Sequence, residues 1–213
     1  MQAEAEKSVA EGRLDWSAIY PLQDSPVRHD FRPGDDVASI AAFRGVSVAE
    51  AAVDLLCELD GQRVLSWPIL NQDMNAIRTM LVDEKVTLGL ADAGAHTSQI
   101  MDASQPTFFL TYWCRDEGIF SLAEAVRRLT SDTADQFGIP DRGRLVPGSF
   151  ADVNVIDFEE LALGYPEMAF DFPGGAGRWV QAARGYRKTI VNGEVSMEDG
   201  EHSGVFAGQT IRR

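Results

Sequence analysis

Hydrophobic residues recur every three or four positions in several stretches of the chain, and local signals mark where these helices begin and end. The clearest case follows Ser47: Glu50 completes a capping box, and apolar residues then recur at helical spacing until Gly61. The same criteria predict further helices from Asp35 or Asp36 through Phe43, from 71 to 81, and from 122 to 137 with a break near Thr130–Ser131.

Two short apolar runs lie between these helices. Residues 63–67 form a β-type run that Pro68 stops, and residues 86–91 are apolar without alternation. A strand that is buried on both faces has this second pattern, and parallel sheets are built from such strands. The order helix, strand, helix, strand between residues 47 and 92 therefore predicts an α/β arrangement with a parallel sheet.

The pattern changes after residue 138. Ala151, Val153 and Val155 alternate with polar residues, which predicts a half-buried strand. Asn192–Gly193 lies between two further β-type segments, and this dipeptide predicts a type I′ hairpin. We therefore expect two regions, an α/β region at residues 1–137 and a β-rich region at residues 138–213.

Composition and charge narrow the classes of partner. The 213 residues include 19 basic and 33 acidic side chains, and the formal net charge of −14 disfavours binding to nucleic acid. No apolar run approaches the about 20 residues that span a membrane, and the first residues lack the apolar core of a signal peptide. The two cysteines are too few for a disulfide framework, and Cys57 is expected to be buried on an apolar helical stripe. These features favour a cytoplasmic protein without nucleic-acid or membrane partners.

Asp92 is the first candidate for chemistry because it directly follows the predicted strand at 86–91. In parallel sheets and barrels, functional groups gather where the strands end at their carboxyl edge. A charged side chain in that position persists only when it is paired, hydrogen-bonded or bound to metal. A helix cap or a loop anchor is the structural alternative for an aspartate there.

Five segments carry a resemblance to known enzymes. They are LGLADAGAH at 88–96, YWCRDEGIFSLAEAVRRLTSDTADQFGI at 112–139, DRGRLVPGSFADVNVID at 141–157, DFPGGAGRW at 171–179 and TIVNGEVSMEDGE at 189–201. Across residues 35–213 the chain resembles the C-terminal portion of the amidohydrolase superfamily, in particular the N-acyl-D-amino-acid deacylase (D-aminoacylase) branch. The RGRLxPGxxADxxVxD pattern is shared across amidohydrolases, whereas WCRDEG and DFPGGAGRW are nearer the deacylase branch.

The resemblance implies a fold. It is α/β: the C-terminal part of a (β/α)8 metal-dependent hydrolase barrel, or TIM barrel, plus part of a small β-sandwich. Residues 63–67 and 86–91 correspond to the seventh and eighth barrel strands, and residues 138–213 correspond to the sandwich.

The resemblance also implies a reaction for the intact parent enzyme. It is zinc-assisted hydrolysis, with one or two zinc ions, of the N-acyl amide bond of a small-molecule N-acyl amino acid, releasing a D-amino acid. Asp92 matches the aspartate that ends the eighth strand in this family. The implied roles of Asp92 are metal ligand and catalytic carboxylate, which takes a proton from the attacking water and returns it to the leaving amine.

Two further residues are candidates for substrate binding. His96, four residues after Asp92, reaches the same site as a ligand or substrate contact, or else is a loop histidine bonded to backbone or water. Arg115 follows the same loop, and its guanidinium suits a bidentate clamp on a substrate carboxylate. The structural alternative for Arg115 is an ion pair with Asp116 or Glu117.

Departures from the family pattern leave other functions open. The chain has three histidines and no HxH pair, whereas a catalytic zinc needs about three protein ligands. We therefore expect the 213-residue chain alone to be inactive. One alternative is a hydantoinase-like or dihydroorotase-like enzyme that acts on a cyclic amide. Another is a non-catalytic fragment, whose open sheet edges would make it self-associate into a homo-oligomer.

Overall fold

The computed structural model describes residue 6 and residues 14–24 and 26–211. These residues fall into two compact units, which divide between Arg78 and Thr79. Within the described ranges, none of the helices combines the length and the apolar character that crossing a bilayer requires. The two units are described in turn.

The first unit packs two capped helices around a small apolar core. Helix α1 spans Val37–Arg44 and helix α2 spans Val48–Gly61. The Ser47 hydroxyl accepts a hydrogen bond from the Glu50 N–H at 3.2 Å, as the capping box predicts. A short 3₁₀ helix and one antiparallel strand pair complete the unit: Trp16–Ala18, β1 (Tyr20–Pro21) and β2 (Leu65–Ser66). The buried core consists of Ile19, Val37, Ala41, Ala51, Ala52 and Leu55.

The end of α2 departs from helical geometry. Glu58 has extended backbone angles, and Leu59 and Asp60 adopt positive φ values of 53° and 56°. Non-glycine residues in this left-handed region are strained by about 1–2 kcal/mol each. Cys57, immediately before this kink, is exposed, so the prediction that it is buried is wrong.

Helix α3 (Met74–Val82) follows, and the second unit adds further helical segments, which include a short 3₁₀ helix at Pro173–Gly175. Helix α4 (Gln105–Phe108) runs directly into a π-helix at Phe109–Asp116. Helices α5 (Leu122–Leu129) and α6 (Ser131–Gln136) are separated at Thr130, where the sequence predicts a break. The π-helix buries Phe109 and Trp113, and the Phe109 ring lies 5.4 Å from the ring of Phe120.

An antiparallel sheet forms the remainder of the second unit. Its order is β10 (Glu201–His202), β9 (Glu194–Glu198), β8 (Tyr186–Val191) and β3 (Val153–Ile156). Asn192 and Gly193 connect β8 to β9 with φ values of 50° and 87°, which confirms the predicted type I′ hairpin. Two strand pairs accompany this sheet: β4 (Ala162–Leu163) with β7 (Ala183–Arg184), and β5 (Glu167–Ala169) with β6 (Arg178–Val180).

The alternation predicted for β3 holds only in part. Val153 is half-buried, but Val155 is 45% exposed. The pairing of β3 with β8 shifts register between Val155 and Ile156, and such an irregularity turns side chains away from strict alternation.

The predicted parallel sheet is not formed by the described residues. The segment 86–91 contains no strand, and its Leu90 side chain is fully exposed. Only Leu65–Ser66 of the segment 63–67 is a strand, and it pairs antiparallel with Tyr20–Pro21. A strand requires a hydrogen-bonded neighbour, and apolar character alone does not supply one. The barrel portion of the predicted fold is therefore not confirmed.

Arg142, within the motif at 141–157, ties the β3 and β8–β9 segments together. Its guanidinium pairs with Asp152, donates to the Asn192 side-chain oxygen at 2.8 Å, and lies 4.2 Å from the centre of the Phe150 ring. Asp152 also accepts the Asn192 backbone N–H at 2.9 Å. The arginine and aspartate of this motif thus hold the hairpin turn in place.

Candidate functional site

Asp92 and His96 lie on an irregular, exposed loop of the second unit. Backbone bonds shape it: the Ala95 N–H donates to the Asp92 carbonyl at 3.0 Å, and the Gln99 N–H donates to the His96 carbonyl at 2.7 Å. Gly94 and His96 have φ values of 96° and 43°. Both the Asp92 and His96 side chains are exposed, and neither forms a hydrogen bond or ion pair with a described residue. The expected setting of Asp92, at the carboxyl end of a strand and paired or hydrogen-bonded, is therefore not seen among the described residues.

A second carboxylate, Asp102, lies within electrostatic reach of Asp92. Desolvation by neighbouring protein atoms, and then the negative charge of Asp92, raise the pKa of Asp102 above that of an ordinary aspartate. Asp102 keeps part of its surface in water, so it is desolvated only in part. A neighbouring negative charge disfavours ionisation of a carboxyl group, so Asp102 holds its proton more readily than an isolated carboxylate does.

Asp102 lines a cleft of 390 Å³ between two segments of the second unit. One wall is the loop from Ala93 to Ala103, and the other is the segment from Phe172 to Gln181. The Trp179 N–H donates to the Thr97 carbonyl at 2.8 Å and connects the two walls. The segments LGLADAGAH and DFPGGAGRW are therefore brought together around one cleft.

Arg178 is the cationic residue of this cleft. Its Nε and Nη2 donate to the two carboxylate oxygens of Asp171, each at 2.8 Å, and its guanidinium lies 5.8 Å from the Phe172 ring centre. The ion pair lowers the pKa of Asp171 and raises that of Arg178. The sequence analysis named neither Arg178 nor Asp102 as a site residue. Arg178 lies inside the motif DFPGGAGRW at 171–179, which could have indicated it, whereas no local sequence pattern distinguishes Asp102.

Arg115 is bound to the protein itself. Its Nη1 donates to the carbonyl oxygens of Leu161 at 2.6 Å and Phe158 at 3.4 Å, and its Nε donates to Asp116 at 3.0 Å. The ion pair with Asp116, the structural alternative, is thus present. A role for Arg115 in substrate binding stays a prediction, as does that of His96.

The described side chains do not form a metal centre by themselves. Over residues 14–24 and 26–211, no three His, Cys, Asp or Glu side chains lie together as a metal-binding group would require. A catalytic zinc needs about three protein ligands. Asp92 offers one carboxylate, and Asp102 near it a second, so the donor set found here does not fit a zinc ion.

Comparison with known proteins places these features in a family. A family model described as the amidohydrolase family matches residues 33–197. An uncharacterised protein of Mycobacterium tuberculosis is 31% identical over 193 residues, covering 84% of this chain and 31% of that protein. The D-aminoacylase of Alcaligenes xylosoxydans xylosoxydans is 33% identical over 182 residues, covering 84% of this chain and 34% of that protein. The chain spans about a third of the length of these relatives.

Solved structures give the same result for the fold. A D-aminoacylase crystal structure matches with a TM-score of 0.52 and 24% identity, covering 92% of this chain and 38% of that one. A D-aminoacylase variant in complex with copper chloride matches with a TM-score of 0.50 and 23% identity, covering 84% and 34%. This likeness supports the α/β fold of that group. Since the family model covers most of the sequence, the chain belongs to the amidohydrolase family and is of the D-aminoacylase type.

Proposed function

We propose that this chain is part of a metal-dependent hydrolase that cleaves the N-acyl amide bond of N-acyl-D-amino acids. Family membership and 33% identity to a D-aminoacylase support this reaction class. The observation that carries the proposal is the Asp92 carboxylate. It forms no hydrogen bond with a described residue, it raises the pKa of Asp102, and its loop continues directly into the wall of the cleft.

The proposed role of Asp92 follows from the chemistry of amides. Water is a weak nucleophile at neutral pH, and an amine leaves only when it is protonated. A carboxylate that accepts the proton of the attacking water and delivers it to the amine nitrogen meets both requirements. Asp102 holds a proton to higher pH than an ordinary aspartate does, because it is partly desolvated and because the negative charge of Asp92 acts on it.

Metal binding is proposed only for an enzyme that supplies further donors besides these residues. One solved D-aminoacylase structure is described in terms of its binuclear metal centre. The described residues of this chain do not fit such a centre, so we derive no step from the metal here. We propose that zinc binding requires donors from outside these residues, and that the 213-residue chain alone is inactive.

One observation favours the non-catalytic alternative, in which the chain is an assembly fragment. Leu90 in the second unit is fully exposed, and in the first unit Phe43 and Leu70 are 93% and 77% exposed. Apolar side chains at this level of exposure favour association with another surface. A stable oligomer that binds no metal would support this alternative.

The test compares Asp92→Asn with the unaltered natural gene product that carries these residues. We expect hydrolysis of N-acetyl-D-amino acids by the unaltered protein, and a loss of about 10²–10⁴-fold in kcat in the variant, since general acid–base catalysis contributes that much. Bound zinc is measured by mass spectrometry in parallel. The 213-residue chain alone should show neither zinc nor activity.

Asp54→Asn is the matched control, because Asp54 is an exposed carboxylate on α2 with no hydrogen bond to a described residue. It should leave kcat unchanged. Circular dichroism and thermal unfolding establish that Asp92→Asn is folded. Full activity in folded Asp92→Asn, or no amide hydrolysis by the unaltered gene product, would contradict the proposal.

A further inference from the structure

The first unit contains a second cleft, also of 390 Å³, to which the proposed hydrolysis assigns no role. Arginine side chains dominate its charged lining, and three carboxylates accompany them. The arginines are Arg28, Arg32, Arg44 and Arg63, and the carboxylates are Asp30, Asp35 and Glu58. Four positive and three negative side chains give the lining a local charge of +1, in a chain whose formal net charge is −14. Such an excess in a cleft concentrates anions.

Two of these guanidinium groups have close partners, at 3.1 Å or less, within the cleft. Arg63 donates from Nε and Nη2 to one carboxylate oxygen of Glu58, at 3.1 and 2.8 Å, and from Nη1 to the Leu22 carbonyl at 2.7 Å. Arg28 forms a two-point ion pair with Asp30, in which Nε and Oδ1 are 2.8 Å apart. These two arginines therefore build the walls of the cleft.

Arg32 and Arg44 retain most of their donors. Arg44 reaches Glu58 at 3.5 Å, the outer limit for a hydrogen bond, while Arg63 holds the same carboxylate more closely. The Arg32 guanidinium is exposed, and it makes no hydrogen bond or ion pair with any described residue, although its backbone N–H donates to Asp35. A guanidinium presents five N–H donors in a planar fork that matches an oxyanion.

Part of the lining of the cleft is apolar. It consists of Phe31, Ile40 and Leu55, which we call the floor, and the Phe31 ring stacks on Tyr20 with the ring centres 4.5 Å apart. Weakly hydrated surroundings strengthen a charged hydrogen bond. Glu58, which also lines the cleft, lies at the kink of α2 directly before Leu59, whose φ is positive. Strain of this kind concentrates at ligand sites.

We propose that this cleft is a binding site for a small ligand with an oxyanion group, a carboxylate or a phosphate. Arg32 and Arg44 hold the oxyanion, and the apolar part of the ligand lies on the Phe31–Ile40 floor. The site is independent of Asp92 and of the proposed hydrolysis. It consists entirely of residues of the first unit.

Calorimetric titration of the 213-residue chain tests the site with two probes, inorganic phosphate and butyrate. Ionic strength is held constant with sodium chloride, so that general screening does not imitate binding. We expect saturable binding of at least one probe. Arg32→Gln and Arg44→Gln should each weaken it about tenfold or more, because a charge-assisted bidentate contact is lost. Stronger phosphate binding assigns a phosphate ligand, and stronger butyrate binding assigns a carboxylate.

Arg78→Gln is the matched control. Arg78 is exposed on α3, in the same unit but outside the cleft, and its side chain has no partner among the described residues. It should leave binding unchanged. The Arg32 side chain forms no hydrogen bond or ion pair with a described residue, so Arg32→Gln should unfold at the same temperature as the unaltered chain. This variant therefore decides the question even if Arg44→Gln unfolds. Absence of saturable binding of both probes, or an equal loss in Arg78→Gln, would overturn the proposal.

Discussion

Two segments of the second unit both resemble amidohydrolases, yet the structure accounts for them differently. In the segment 141–157 the charged motif residues have partners: Arg142 contacts Asp152, Asn192 and Phe150. In the segment 88–96 the Asp92 and His96 side chains have none among the described residues. The charged residues of the segment 141–157 are thus explained by their contacts within this chain. The side chains of Asp92 and His96 remain available for binding or chemistry, and the following substitutions test this contrast.

Gly185→Ala should give the largest loss of stability. Gly185 has a φ of 91°, and a Cβ there would lie 2.7 Å from the Cα of Leu161, a buried residue beside the sheet. An alanine would be strained by the left-handed backbone, and its Cβ would collide with backbone atoms that cannot move without disturbing the fold. We therefore expect a loss of about 3 kcal/mol or more in the free energy of unfolding. Urea denaturation measures it.

Gly200→Ala separates the two causes, because Gly200 has nearly the same φ, 88°, but no atom within 4 Å of the added Cβ. It should cost only the backbone strain, about 1–2 kcal/mol. Equal losses in the two variants would show that the Leu161 contact is unimportant.

Arg142→Gln should have the next largest effect. The Arg142 side chain is only 16% exposed, and the variant loses the Asp152 pair, the Asn192 bond and the Phe150 contact. We expect a loss of about 2 kcal/mol, since the partners left behind are partly desolvated. Arg178→Gln is the control: its ion pair with Asp171 involves a side chain that is 39% exposed, and exposed pairs contribute less than about 1 kcal/mol. A smaller loss for Arg142→Gln than for Arg178→Gln would refute the structural role of the motif.

Asp102→Asn should have the smallest effect on stability, and it should increase stability where the other substitutions reduce it. Because the folded protein raises the pKa of Asp102 above the ordinary 3.8, the folded state binds its proton more tightly than the unfolded state does. Stability from this group is therefore present below pH 3.8 and lost as the pH rises through the higher folded pKa. The variant should be slightly more stable than the unaltered chain at neutral pH and show no gain at pH 3.

Carboxyl NMR titration of Asp102 measures the shift directly, and Asp92→Asn should move the pKa of Asp102 back toward 3.8 because the neighbouring charge is removed. An Asp102 pKa at or below 3.8 in the unaltered chain would remove the electrostatic link between the two carboxylates.

The success of the sequence predictions follows the range of the interactions involved. The caps at Asp36 and Ser47 and the hairpin at Asn192–Gly193 depend on residues within a few positions, and all three form. The strand at 86–91 depends on a distant pairing partner and does not form. Arg115 also finds acceptors 43 and 46 residues away, at Phe158 and Leu161, which no local pattern could indicate. The cleft beside Asp92 was missed for the same reason, since its two walls are far apart in sequence.

Residues 86–91 have no strand partner among the described residues, and this exposes an apolar segment that can promote aggregation. The stretch VTLGLA is uncharged, mostly apolar and free of proline, and Leu90 lies wholly in water. Short segments of this composition stack into cross-β fibrils when their backbone groups are accessible. Charged residues border it on both sides, at 83–85 and at Asp92. Such flanking charges oppose stacking by repulsion, so removal of the Asp92 charge is expected to increase the tendency of the chain to aggregate.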